Sequence, residues 1–344
     1  MLRKLLVLLI AIVVSLASFP SIANASYLNS LGNKKLKEIS ILGSHDSGMS
    51  VFGAHTATRP CNTLTQSQNI LGQLNLGAVY FDIRPVISGG AYFTGHYSDF
   101  GFLGWQGANG QSIDSIISQI NDFTSENKQL VVLSLSHAYN TDVGRHYRSF
   151  NQGEWNQLFS KLSQINSLYV NSNPNNVDLT SLTVNDFIQN SPAVVVVVDE
   201  PGVKLGKYQG NGFYRSSSFN VYDKYSDTNN LNEMANGNEK GQIPKMKQMT
   251  GKQYFLLSWT LTQSSTQAAL CPWPESSIIE LAKTANDALP SMLLPSVSKS
   301  AFPNIIYVDN IDSQKLEDVV IKANCKVFPG FDPYCPPPIS HVSH

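Results

Sequence analysis

Along the chain, short runs rich in Val, Ile, Leu and aromatic residues alternate with stretches whose apolar positions recur at helical spacing. The runs are Glu38–Ser44 (EISILGS), Ala78–Arg84 (AVYFDIR), Ala91–Tyr97 (AYFTGHY), Leu130–His137 (LVVLSLSH), Ala193–Glu200 (AVVVVVDE), Phe219–Tyr225 (FNVYDKY), Tyr254–Thr262 (YFLLSWTLT) and Ile305–Asp312 (IIYVDNID). Continuous β-branched runs, rather than strict alternation, indicate strands covered on both faces of a mostly parallel sheet. Between them, Ile113, Ile116, Ile117 and Ile120 form a helical stripe with Ser112 as its cap. Similar stripes run through EWNQLFSKLSQI, SSIIELAKTANDAL and SQKLEDVVIKAN. Only the second and third runs stand too close for a helix, joined by VISGG, which reads as a tight turn. Eight strands with mostly helical connections predict an α/β fold, a slightly irregular (β/α)8 TIM-type barrel in one domain. A doubly wound open sheet is the alternative.

The chain ends change this picture little. Arg3 and Lys4, the apolar Leu5–Phe19 and Ala23-Asn24-Ala25 have the form of an export signal. The expected division is a signal peptide at 1–25, a barrel at 26–326 and a C-terminal tail at 327–344. The mature protein is expected to be secreted, extracellular or periplasmic, after cleavage near Ala25. Without Arg3 and Lys4 the 24 basic residues fall to 22 against 25 acidic, a balance near −3. That excludes the basic footprint of a nucleic-acid binder and strong adhesion to anionic lipid. Cys61, Cys271, Cys325 and Cys335 are an even number in an exported chain, consistent with disulfides, and the last two could staple the tail. Their spacing matches no zinc motif. A monomer is expected.

Chemistry in either fold collects beyond the carboxyl ends of the strands. There the runs deliver Ser44-His45-Asp46, Asp82 and Arg84, His96, His137, Asp199-Glu200, Asp223 and Tyr225, and Asp309. Two histidines, an arginine and supporting carboxylates are the parts for cleaving a phosphodiester without metal. One imidazole takes a proton from an attacking hydroxyl and another protonates the leaving oxygen. A guanidinium neutralises the non-bridging phosphate oxygens, and carboxylates behind the imidazoles fix tautomer and orientation.

The segments ILGSHDSG, FDIRP and TGHY, in that order, resemble the X-box core of phosphatidylinositol-specific phospholipase C, most of all the secreted bacterial type and its small single-domain relatives. VYDKYSD resembles that family's head-group-binding strand end, and IIYVDNIDSQKLEDVVIKAN its last strand and helix, so the likeness spans about Glu38 to Lys326. It implies that His45 is general base on the inositol 2-hydroxyl and His96 general acid for the diacylglycerol leaving group. Arg84 would stabilise the phosphoryl charge and pair with Asp46, Asp309 would orient His45, and Asp82 would orient His96. Asp223 would bind ring hydroxyls and Tyr225 pack on the ring. The substrate implied is a phosphatidylinositol-type lipid, the products diacylglycerol and inositol 1,2-cyclic phosphate, and the partner surface a transiently touched membrane. Calcium-dependent members place carboxylates where Arg84 stands, so no metal and no other cofactor are expected.

Two strand ends depart from the bacterial pattern, which has basic residues after the fourth and fifth strands. Here stand His137 and Asp199, candidates for substrate binding that put head-group preference in doubt. Asp99 is read as closing a turn, Trp259 as core or pocket floor, and His55, His146, His341 and His344 as ordinary surface or tail residues. The apolar segment LPSMLLPSVSKSAFP, with Met292, Leu293 and Leu294, either dips into a bilayer or packs on the barrel. The competing functions are a metal-dependent glycerophosphodiester or sphingomyelinase-D type phosphodiesterase and a non-catalytic module binding inositol glycans.

Overall fold

The computed structural model describes residues 27–175, 177–271, 277–330 and 334–335. The expected signal segment and most of the 327–344 tail, including His341 and His344, lie outside the described residues. Eight parallel strands follow one another around a curled sheet: β1 (Ile41–Ser44), β2 (Ala78–Ile83), β3 (Leu130–Leu135), β4 (Ala193–Val198), β5 (Phe213–Arg215), β6 (Val221–Tyr222), β7 (Tyr254–Trp259) and β8 (Ile305–Val308). Each pairs with its neighbour in the chain, and β8 closes on β1 with Ile41 beside Ile305 and Ser44 beside Val308. The ladder is broken at one place: β5 and β6 do not pair, leaving a seam bridged by Ser216–Asn220. This is a TIM-type barrel with one open stave, as the strand pattern predicted.

The continuous apolar runs are explained by two cores on the two sides of this sheet. In β4, Val194, Val196 and Val198 face the outer layer, while Val195 and Val197 face the barrel interior. β3 alternates in the same way, with Val131 and Leu133 outside and Leu130 and Val132 inside. The helix Ile113–Glu126 lays its four-isoleucine stripe on the outer face, and Ser112 caps it by accepting from Ser115 N–H. Trp259 is fully buried in the outer core and donates from its indole to the Ala285 carbonyl.

Two expectations need correction, and one pair of alternatives resolves. Ala91–Asp99 is no barrel strand: it belongs to a separate five-stranded sheet, antiparallel to Pro85–Ser88 and to Trp105–Ser112. The turn at Gly89 and Gly90, both at positive φ, is too short for the crossover that a parallel pair requires. The missing barrel strand is β5, whose three residues were too short to stand out as an apolar run. Its place between β4 and the seam also leaves β4, β5 and β6 joined by 3-10 turns with no intervening α-helix. Finally, the segment around Met292 packs on the barrel. The helix Ile278–Leu293 buries Leu289 and Leu293 in the outer core, and the stretch beyond it leads into the amino end of β8, away from the carboxyl ends of the strands.

Two disulfides are present, Cys61–Cys271 and Cys325–Cys335. The first ties the β1–β2 connection to the β7–β8 connection, both at the carboxyl end of the barrel. Around it Arg59 donates to the Cys271 carbonyl at 2.6 Å and Gln263 to the Cys61 carbonyl at 3.1 Å.

Candidate active site

The carboxyl ends of the strands surround a cavity of about 430 Å³ bordered by His45, Arg84, His96, His137, Tyr225 and Asp309 among others. It adjoins a smaller polar pocket of about 180 Å³ toward the seam, bordered by Asp82, Asp199, Ser216 and Asn220. His137 and Asp223 border both pockets, whereas Asp199 borders only the smaller and Tyr225, largely exposed, only the larger. All ten residues singled out from the sequence therefore lie at or beside one mouth, although Asp46 is buried beneath it.

Backbone geometry aims several of these groups. Immediately beyond β1, β3 and β8 stand Asp46 (φ 44°), His137 (φ 52°) and, one residue past Asp309, Asn310 (φ 51°), all in the left-handed region that ordinary side chains avoid. Such strain is held only where surrounding structure over-determines it. At Asp46 the determinants are visible: its N–H donates to Asp82 Oδ2 at 3.1 Å and its carbonyl accepts from Thr65 Oγ1 at 2.9 Å. Gly48 is needed nearby because a Cβ there would meet the Thr94 side chain at 2.2 Å. Gly43 keeps the barrel interior open for Ile305 in the same way, at 2.5 Å. The SHDSG turn thus lets the chain reverse against the hairpin that carries His96.

His45 Nδ1 lies 2.7 Å from Asp309 Oδ1, and its Nε2 lies 2.9 Å from Arg84 Nη2. A guanidinium only donates, so Nε2 carries the lone pair and Nδ1 the proton. Burial works against the charged imidazole, but the Asp309 carboxylate outweighs it and holds the His45 pKa above its ordinary value. The Tyr307 ring packs edge-on against His45 with centroids 5.2 Å apart.

The carboxylate partners differ from those expected. Asp82 does not reach His96; it accepts from Arg84 Nε at 3.0 Å and from Tyr307 Oη at 2.7 Å. It is Asp46 that faces His96, with Oδ2 3.1 Å from Nδ1, while Arg84 Nη1 stands 3.6 Å from the same oxygen. The His96 Nδ1–H also has the Thr63 carbonyl at 3.2 Å, and both Asp46 oxygens are buried with no hydrogen-bond donor among the described residues. Burial pushes the Asp46 carboxyl up to about 6 and the His96 imidazole down to about 4, since neither charge is solvated. Asp82 behaves oppositely: burial would raise it, but Arg84 and His45 hold it at about 2. Three contributors escaped the sequence reading. Tyr307 shares with Asp309 the inward face of β8, a period-two signal that was available in IIYVDN. Ser136, bridging Asp82 and His137, and the Thr63 carbonyl gave no such signal.

Among the described residues no group of three or more His, Cys, Asp or Glu side chains is placed to hold a metal ion. Arg84 pairs with both Asp82, at 2.9 Å, and Asp46, at 3.6 Å.

No protein-family model and no curated protein matches the chain. Solved structures do. The phosphatidylinositol-specific phospholipase C of S. aureus superposes with a TM-score of 0.58 at 17% identity, over 87% of this chain and 97% of that one. The enzyme of the same name from Listeria monocytogenes gives 0.53 at 16% identity, over 87% and 98%. At such identities the likeness is one of fold, and it runs nearly end to end. The chain has the barrel fold of the bacterial phosphatidylinositol-specific phospholipases C.

Proposed function

We propose that this protein is a secreted phosphatidylinositol-specific phospholipase C that works without a metal ion. One observation carries the reading: two imidazoles, each backed by a buried carboxylate, flank a single guanidinium at the mouth of a barrel of that fold. Both disulfides fit an exported enzyme.

Arg84 covers the His45 lone pair, its Nη2 lying 2.9 Å from Nε2. A phosphodiester anion entering the cavity competes for the guanidinium, and Arg84 turning toward it uncovers Nε2. His45 then takes the proton of the inositol 2-hydroxyl, whose oxygen attacks phosphorus from within the same molecule, a step favoured by proximity. Asp309 stabilises the imidazolium that forms. Cleavage of the bond to the glycerol oxygen leaves that oxygen needing a proton, and His96 supplies it. The anionic phosphate adds to Asp46 in holding this proton on His96. Diacylglycerol departs, and inositol 1,2-cyclic phosphate remains. Asp199, Asp223 and His137, which border the pocket, hold ring hydroxyls in this reading.

Incubating the protein with phosphatidylinositol vesicles in EDTA, followed by phosphorus NMR, is expected to give the cyclic phosphate resonance. Activity that disappears in EDTA and returns with calcium would overturn the metal-free reading.

The free enzyme should also show a narrow bell in kcat/KM, which reports unliganded groups. Activity needs His45 unprotonated, although Asp309 holds it above its ordinary value, and needs the proton of the Asp46–His96 pair, which is lost from about 6 upward. Because the base titrates above the acid, the acid limb has its midpoint near 6 and the alkaline limb has its midpoint at that of His45. Asp309→Asn removes the charge that raises His45 and is expected to move the alkaline limb to lower pH. An alkaline limb that stays in place would remove Asp309 from this role.

A further inference from the structure

The hairpin that carries His96 ends in an apolar tip with nothing packed over it. Between its strands Ala91–Asp99 and Trp105–Ser112 stand Phe100, Phe102 and Leu103, which are 57%, 83% and 54% exposed. The tip is a built turn. Asp99 Oδ1 accepts from Gly101 N–H at 2.9 Å, Phe100 N–H donates to the Gly104 carbonyl at 3.0 Å, and Trp105 N–H donates to the Arg145 carbonyl at 3.0 Å. Behind the tip, Trp105 is half-buried against Tyr139, centroids 4.5 Å apart, and stacks near Tyr147 at 6.1 Å. Phe100 borders the cavity that holds His45, Arg84 and His96.

We infer that the Phe100–Leu103 tip inserts into a lipid bilayer and seats the mouth on the membrane surface. The inference rests on the lipid-substrate reading above and names the surface through which it operates. Three side chains on a convex turn can cover a few hundred Å² at most, short of the roughly 800 Å² per partner of a stable protein interface. A bilayer asks for no flat matching patch. It accepts a short apolar wedge backed by Trp and Tyr rings at head-group depth, the order found here from tip to base. Tyr225, which also borders the cavity, is likewise exposed, at 65%. No helix among the described residues is long and apolar enough to cross a membrane, so the contact is peripheral. Because Phe100 directly follows the strand Ala91–Asp99 that carries His96, docking of the tip places the imidazole at the depth of the phosphodiester.

The test is co-sedimentation with phosphatidylcholine vesicles in EDTA, a lipid with no inositol, which reads docking apart from turnover. Wild type is expected to bind, with little change between about 0.1 and 1 M salt because the anchor is apolar. The Phe102→Ser/Leu103→Ser double variant is expected to bind about 10- to 100-fold more weakly while keeping its kcat/KM on a water-soluble inositol phosphodiester. A second probe, Phe102→Trp, should shift its emission to the blue on adding vesicles and be quenched by brominated lipid. Wild-type-like binding by the double variant, or an unshifted emission from the Phe102→Trp protein, overturns the inference. So does a tip-dependent dimer in ultracentrifugation without vesicle binding, which would assign the tip to a second copy of the chain. Vesicle binding through the tip without phosphatidylinositol turnover would leave the anchor standing and reject the proposed function alone.

Discussion

Replacing His45 by alanine is expected to lower phosphatidylinositol turnover by about 10³- to 10⁴-fold, the upper range for loss of a general base. No other imidazole takes its place. His96 is engaged with Asp46 and the Thr63 carbonyl, and His137 lies with Ser136 at the opposite side of Arg84's pocket. The substitution also strands Asp309, which is 3% exposed and partners His45 Nδ1 at 2.7 Å. Leaving a buried carboxylate without that donor costs about 1–3 kcal/mol, so a modest loss of stability should accompany the loss of rate. The two effects separate in the Asp309→Asn protein. Asparagine still accepts from Nδ1–H but no longer supports the imidazolium, and a loss of about 10- to 100-fold is expected with little unfolding. Turnover within tenfold of wild type in His45→Ala would end the two-imidazole mechanism.

Replacing Arg84 by methionine should combine a rate loss of about 10³-fold with a pH-dependent loss of stability. The rate term is the removal of the one fixed positive charge facing the phosphate. The stability term follows from Asp82. With Arg84 present its folded-state pKa is about 2, below the ordinary carboxylate value near 3.9. A depressed carboxylate stabilises the fold above the unfolded pKa, and that stability fades as pH falls toward 2. A shift of this size corresponds to roughly 2–3 kcal/mol near neutrality. Without Arg84 the largest influence opposing burial is gone while His45, the Tyr307 hydroxyl and the Asp46 N–H remain, so the Asp82 pKa rises and the stability it lends above its unfolded pKa shrinks. Urea midpoints of the two proteins should therefore lie far apart at pH 7 and draw together only as pH falls toward about 2. A gap independent of pH would show that Arg84 supports the barrel through packing of its stem.

Much of this site was legible before any coordinates, because barrel topology sends every strand end to the same place. Once the runs are strands, His45, Asp82, Arg84, His137, Asp199 and Asp309 converge whatever the fine geometry. What could not be read is which carboxylate serves which base. Asp46 follows His45 directly, and on an ideal extended strand the two would face opposite sides. The left-handed turn at Asp46 instead folds its carboxylate under the mouth toward His96, and Asp82 is left to Arg84 and Tyr307. The hairpin posed a similar difficulty. AYFTGHY has the composition of a barrel strand, and only the five-residue link before it separates the two readings. β5 was invisible for the opposite reason, since three residues make no periodicity. Apolar content marked the segment around Met292 as a membrane candidate and passed over the Phe100 tip, because only topology tells which end of the barrel each occupies. The stretch at Met292 lies at the closed end, and the Phe100 tip lies at the open one.

The gap between β5 and β6 has an evolutionary consequence. Everywhere else around the barrel, an inserted or deleted residue would shift a ladder and carry the neighbouring side chains out of register. At Ser216–Asn220 there is no ladder to shift, yet Ser216, Phe219 and Asn220 form part of the wall of the pocket assigned to the head group. Descendants of this chain can therefore trade loops at the seam, and with them the ring substituents they tolerate, without touching His45, Arg84 or His96. The stave that the barrel leaves open is the position at which its specificity can drift while its chemistry stays fixed.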